Sequence, residues 1–412
     1  MSSFTRSLAI RLITLSLLAV FAATQAFAQN RAYVTNEASG TVSVIDTTTN
    51  TVIKEIPVPL TPLGIAVTPD GSLVYVANWL DNTVSVISST TDTVVATVSM
   101  PIPFFIAITP DGASAYVARG DGVISVISTA TNTITANIPV AGQPGPIAIT
   151  PNGALVYVVS SFFPGTVSAI STASNTVIAT VNTFQGFHEG LAVTPDGAFV
   201  YVTTALPADI SVISTATNTI VAHQPPGNFS SWGIDFTPNG AFAYIANGDS
   251  ATVSVINTAT RAVVAIVPVG PEPLSVAINP AGTFAYVVCR RNSDVFVIST
   301  ATNTVVAQIP MGGNVSQVIA FPTRTPIRSL MAQVQALADA GALTQSQANG
   351  LIDKLNQVIA KLAAGQTGAA CNQLSSFINQ VNALSNNGTL TPAQAQPLID
   401  AANAIRATNG CQ

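Results

Sequence analysis

Four residues stand out as able to do chemistry together: His188, Glu189, Trp232 and Asp235. An adjacent histidine and glutamate can act as an acid–base pair. An indole can stack on a sugar or another planar ring. Asp235 either joins them or simply accepts backbone amides, because a buried carboxylate needs partners. His188 has an equally plain reading as a surface loop residue. Arg119, Arg290 and Arg291 form a second group, suited to an anion or else to ordinary solvated charge. Scarcity excludes much other chemistry. His188 and His223 are the only histidines, and no His-x-x-Glu-His or Cys-x-x-Cys spacing is present. A zinc or haem site is therefore not expected, and no cofactor is implied. No glycine-rich phosphate loop and no Gly-x-Ser-x-Gly elbow occurs.

The elements that must position these residues repeat. A tyrosine followed by an apolar residue recurs at Tyr33, Tyr75, Tyr116, Tyr157, Tyr201, Tyr244 and Tyr286, at intervals of 42, 41, 41, 44, 43 and 42 residues. That period is one four-stranded propeller blade. In the second unit, Gly64 to Thr68 is a short apolar strand and Pro69-Asp70-Gly71 a tight turn. Leu73 to Ala77, Thr83 to Ile87 and Thr93 to Val98 are the following strands, alternating or β-branched. The chain enters the repeat at a second strand. The missing first strand is expected at the far end, where Gln317 to Phe321 matches its pattern and can complete the first blade. Such closure leaves no long unpaired inner edge.

The four residues are departures from this pattern. Pro62, Pro103, Pro144, His188, Ser231, Pro273 and Val315 lead into the seven first strands, at the mouth of a propeller's central channel. Asp235 replaces the Ala66, Ala107, Ala148, Ala192, Ala277 and Ile319 of the other units. All four departures fall on two adjacent blades.

Tyr33-Val34-Thr35-Asn36, with Thr41 to Ile45 and Thr49 to Val52, resembles the YVTN-type β-propeller repeat. The resemblance covers roughly residues 31 to 322 and implies the fold more than a function. Proteins of this kind occur in surface layers, on cell surfaces and in the periplasm. More distantly they resemble propellers that act as lactonases.

The ends differ from the repeat. Residues 1–28 read as a signal peptide: Arg6 and Arg11, an apolar run from Leu12 to Ala23, then Ala26-Phe27-Ala28. No later segment has 18 consecutive apolar residues, so no membrane span is expected after cleavage. After Pro322-Thr323-Arg324-Thr325-Pro326 the composition turns Ala-, Gln- and Leu-rich, with a helical period. Two halves match at an offset of 47 residues, each reading as helix, glycine stop, helix. Thr344 with Gln347 and Thr391 with Gln394 form capping boxes, the second with Pro392 in the first helical position. Cys371 and Cys411 lie in this region and are expected to pair, although spacing alone does not fix connectivity. Cys289 falls in a strand, as an inert buried thiol. Phe377-Ile378-Asn379-Gln380-Val381 and the Gly388-Thr389-Leu390-Thr391 turn resemble the FIMAH domain of secreted bacterial proteins. That resemblance implies an accessory module, not a chemistry.

The expected organisation is a signal peptide (1–28), a mainly β, seven-bladed propeller (29–322) and a small four-helix domain (323–412). Only 8% of residues are charged, and Gln29 to Phe321 carries 6 basic and 15 acidic side chains. An acidic propeller repels phosphate backbones, so nucleic-acid binding is disfavoured. The leading reading is a secreted, surface or periplasmic binding or scaffold protein without enzymatic activity, its ligand a carbohydrate, protein or cell-wall component. The alternative is a lactonase-like hydrolase or lyase with its site near His188.

Overall fold

The computed structural model describes residues 31–160, 165–183, 188–204, 209–224, 231–312, 319–321, 326–339, 341–363, 366–408 and 411. For His188 and Glu189 it describes the backbone alone. The signal peptide and residues 322–325 of the Pro322 to Pro326 linker read from the sequence lie outside the described residues, and Pro326 itself begins a helix. The chain divides into two compact units, one of strands and one of helices.

The strand unit is a seven-bladed propeller, each blade a four-stranded antiparallel sheet. Blade 2 is built from β4 (Pro62–Val67), β5 (Leu73–Asn78), β6 (Thr83–Ser88) and β7 (Thr93–Ser99), running outward from the axis. Its first turn closes with the Gly71 amide donating to the Thr68 carbonyl at 2.7 Å. Gly71 has φ 72° there, and Gly112, Gly153, Gly197, Gly240 and Gly282 repeat that left-handed conformation. Only glycine adopts it without a steric cost, which is why the third residue of this turn does not vary. The outer strands expose valine and isoleucine, for example Val95 at 54% and Val264 at 51%. Each shifts register against its neighbour by a bulge, a feature that blunts a sheet edge.

Blade 1 contains β1 (Arg31–Asn36), β2 (Thr41–Asp46) and β3 (Thr51–Pro57), completed by β28 (Ile319–Ala320). The ring is therefore closed by the returning strand, with Tyr33 opposite Ala320 and Val34 opposite Ile319. This register corrects one alignment: Ala320, not Ile319, faces the blade-1 tyrosine. Asp235 thus stands against six alanines, since Ala66, Ala107, Ala148, Ala192 and Ala277 each face their own tyrosine.

The tyrosines join one blade to the next. Tyr75 donates to Asn132 Oδ1 at 2.5 Å, Tyr116 to Asn175 at 2.7 Å and Tyr157 to Asn218 at 2.7 Å. Tyr244 donates to Asn303 at 2.6 Å, and Tyr286 crosses the closure to Asn50 at 2.9 Å. Each asparagine sits in the turn between third and fourth strands with φ between 51° and 54°. Asparagine tolerates that region better than most residues, so one side chain suits both the turn and the neighbouring blade. At the first interface Asp92 takes this place and binds Arg31 at 2.7 Å. At the fifth, Arg261 takes it, and Tyr201 instead packs edge-on against Phe236.

The helical unit contains α1 (Pro326–Asp339), α2 (Gln345–Ala363), α3 (Thr367–Asn386) and α4 (Pro392–Thr408). Leu330, Val334, Leu351, Leu355, Leu374, Phe377, Val381 and Leu398 share one buried core. Both capping boxes form: the Thr344 and Thr391 amides each donate to Oε1 of Gln347 and Gln394 at 2.8 Å. The glycine stops match as well. Gly341 and Gly388 have φ 72° and 78°, and the next leucines return to Leu337 and Leu384 carbonyls at 3.1 and 2.9 Å. Cys371 and Cys411 are disulfide-bonded, fixing the end of the chain to α3.

Removing a latch should weaken the ring by a predictable amount. Tyr157→Phe is expected to cost about 1 kcal/mol, the net value of one such hydrogen bond. Tyr201→Phe, which loses no such bond, is expected to be near neutral. Denaturant unfolding of the two variants measures the difference.

Candidate functional site

The innermost strands converge on a cavity of ≈ 250 Å³ along the propeller axis. Its walls come from β8 (Pro103–Ile108), β12 (Pro144–Ile149), β16 (His188–Val193), β20 (Ser231–Phe236), β24 (Pro273–Ile278) and β28. Phe105, Leu191, Leu274 and other apolar groups dominate, with Asp235 and Ser275 among the polar ones.

Close backbone approach makes this convergence possible. A Cβ on Gly190 would lie 2.1 Å from the Trp232 carbonyl oxygen, and one on Gly233 would lie 2.8 Å from the Ser275 Cα. These glycines let the inner strands of blades 5, 6 and 7 meet where any side chain would wedge them apart. The Thr203 hydroxyl spans the same seam, donating to the Trp232 carbonyl at 2.6 Å.

Trp232 is half-buried and lines the cavity. Its indole lies over Gly248, where a Cβ would stand 2.6 Å from Nε1. The second position of the inner strand is Leu63, Phe104, Gly145, Glu189, Trp232 or Leu274 around the ring. Among the described side chains at this position, Phe104 and Trp232 are aromatic and the others are leucine or glycine.

Asp235 lies deep in the molecule yet keeps some surface toward the cavity. One oxygen accepts the Phe236 amide at 2.8 Å, and the other accepts the Ile278 amide of β24 at 2.7 Å. The second bond fastens blade 6 to blade 7. Burial pushes the carboxyl up to about 6, and the two amide donors oppose that shift. The plain reading of Asp235 as an acceptor of backbone amides accounts for both oxygens.

The other sequence candidates separate. His188 and Glu189 begin β16, next to the Trp232 backbone, and their side chains lie outside the described residues. Arg119 is tied to Asp121, to Ser125 at 3.1 Å and to Asn137 at 3.2 Å. Arg290 lies 3.8 Å from Glu37, and Arg291 is exposed. Neither Arg119 nor Arg290 lines the cavity. The buried Cys289 thiol is pushed up to about 12 by desolvation, which makes it inert.

One cluster was not legible in the sequence. His223 Nδ1 lies 3.0 Å from Asp209 Oδ2, and Ser211 Oγ lies 3.1 Å from that same oxygen. Ser211 also approaches His223 Nδ1, at 3.4 Å. Serine and carboxylate thus meet the same imidazole nitrogen, whereas a nucleophile relay needs one on each. Direct pairing of Ser211 with His223 across β18 (Asp209–Ser214) and β19 (Thr219–Gln224) brings them together. Among the described residues, no three His, Cys, Asp or Glu side chains gather to hold a metal ion.

Residues 327–407 match the FIMAH domain family. The helical unit is a FIMAH domain. No curated protein matches the chain. Solved structures share the propeller. Hydrazine synthase of Kuenenia stuttgartiensis is 24% identical with a TM-score of 0.62, over 66% of this chain and 93% of that one. A functionally unknown protein from Desulfotomaculum acetoxidans is 22% identical with a TM-score of 0.62, over 72% and 100%. Dihydro-heme d1 dehydrogenase NirN, in complex with DHE, is 15% identical with a TM-score of 0.55, over 72% and 76%. At these identities the likeness is one of fold.

The raised carboxyl sets a pH dependence. A folded-state value above the ordinary 3.8 means that the protonated form favours folding. That contribution is complete below the unfolded value and is lost as pH rises through about 6. Wild type should therefore lose stability relative to Asp235→Asn between pH 4 and pH 7, at up to about 1.4 kcal/mol per pH unit. Parallel stability curves for the two proteins would refute this assignment.

Proposed function

We propose that this protein is a non-enzymatic binding protein of the cell exterior or periplasm, which holds its ligand at the channel mouth beside Trp232. One observation carries the reading: a half-buried tryptophan lines a cavity with both apolar side chains and polar surface, on a blade where the repeat breaks. Ligand sites in propellers and other scaffolds are concave, mostly apolar and marked by a few convergent polar groups. A cell-wall glycan or its fragments fit best, since a pyranose stacks on an indole without a countercharge.

The disulfide and the FIMAH domain support an oxidising compartment. Among the described residues no helix is long and apolar enough to cross a membrane. The acidic balance of the propeller continues to disfavour nucleic acid. Both oxygens of Asp235 are committed to amides, so a hydrolase or lyase reading rests on His188 and Glu189 alone.

A glycan array followed by titration checks the reading. Trp232→Ala is expected to weaken the bound glycan at least about tenfold, within the range of ring stacking on an aromatic side chain, while the protein stays folded at the assay temperature. Equal binding by the variant would move the ligand away from this mouth. Turnover of a lactone, ester or glycoside by the purified protein would overturn the non-enzymatic reading.

A further inference from the structure

A second surface, on blades 2 and 3, has the marks of a built site. Trp79 follows β5, and Phe104 is the second residue of β8; their rings stack at 5.5 Å with an interplanar angle of 27°. Leu80 beside them is 61% exposed. Isolated exposed leucines are ordinary, but a contiguous aromatic and aliphatic surface is not.

The backbone beneath this surface is strained. Thr61 and Ile102 have φ 60° and 45°, although each is β-branched and directly precedes a proline. Both conditions disfavour that conformation. Neighbours hold it in place. The Ile102 amide donates to Asn82 Oδ1 at 2.8 Å, and the Gly120 amide donates to the Ile102 carbonyl at 2.8 Å. The Trp79 amide donates to the Thr61 carbonyl at 3.1 Å. Gly120 leaves room for the platform, since a Cβ there would lie 2.6 Å from Ile102 Cγ2 and 2.7 Å from Phe104 Cε2. Glu272 repeats this conformation before Pro273 on blade 7, so it belongs to the repeat, and the bonds named here fix the backbone under the platform.

The charges select the ligand. Asp81 follows Leu80 in the turn, exposed and with no ion pair among the described residues. On the neighbouring loop the Arg119 guanidinium is already spent on Asp121, Ser125 and Asn137. The platform thus offers an indole face and a carboxylate that makes no ion pair among the described residues, and the Arg119 charge is paired with Asp121. A ring face attracts cations through its quadrupole, and a carboxylate adds to that field. We infer that the Trp79–Phe104 platform is a binding site for organic cations, of the alkylammonium or quaternary ammonium class. Phe104 holds on blade 3 the inner-strand position that Trp232 holds on blade 6, so this is a second place on the same rim, and it does not rest on the glycan reading.

Trp79 and Trp232 are the only tryptophans, so each site has its own fluorescent reporter. In Trp232→Phe protein, choline should change Trp79 emission saturably. The uncharged isostere 3,3-dimethylbutan-1-ol should bind at least about fivefold more weakly, as expected when a cation–ring attraction is lost. Asp81→Asn should weaken choline about threefold or more, and added salt should erode that difference. Calorimetric titration of wild type against Asp81→Asn makes the same comparison with both indoles intact. In Trp79→Phe protein, Trp232 emission should not respond to choline. Equal affinity for choline and its isostere, no response to choline, or a response confined to Trp232 would each overturn the inference. A glycan response at Trp232 reports on the channel mouth and leaves this test untouched.

Discussion

The ring depends on a tyrosine hydroxyl that reaches from one blade into the turn of the next. Tyr75, Tyr116, Tyr157, Tyr244 and Tyr286 are buried in the blade interfaces, and each donates to an asparagine beyond its own sheet. A phenol in such a place must find an acceptor or lose its hydration without return. Burial pushes Tyr75, Tyr157, Tyr244 and Tyr286 up to about 12, so these groups stay protonated and keep donating. The Tyr286–Asn50 bond spans the closure and gives the last interface the same latch as the second, third, fourth and sixth. With β28 added to blade 1, closure is both a sheet completion and a side-chain latch.

A frame fixed at its interfaces leaves the inner strand ends free to vary. Their second residues range from Gly145 to Trp232 while the sheets behind them keep one register pattern. Large side chains at these strand ends need space cleared elsewhere as much as their own substitution. Gly248 and Gly120 clear space for Trp232 and Phe104, and Gly190 lets two inner strands touch. Asp235 stands among six alanines, and each of its oxygens accepts one backbone amide, the second across to the next blade.

The helical unit follows different rules. Its boundaries are set locally, by two capping boxes and two left-handed glycine stops that repeat at an offset of 47 residues. Its small core is supplemented by a covalent tie, a common need in domains of this size. The propeller has no such tie and relies on closure instead.

The sequence by itself determined the parts that are local or periodic. Tyrosine spacing specified seven blades, the Pro-x-Gly turns placed the strands, and Thr344 and Thr391 marked helix starts, because each rests on backbone preferences within a few residues. The cysteine pairing was legible from their shared region. What each departure touches is visible only in the tertiary structure. Arg119 proved committed to Asp121, and Asp235 to an amide 43 residues away. The Trp79–Phe104 stack joins two blades and had no periodic signal beyond Trp79 standing where Gly120 and Gly248 stand. Contacts between blades depend on how closely separate sheets approach, and that distance is set by glycines and packing across the ring rather than by any one repeat.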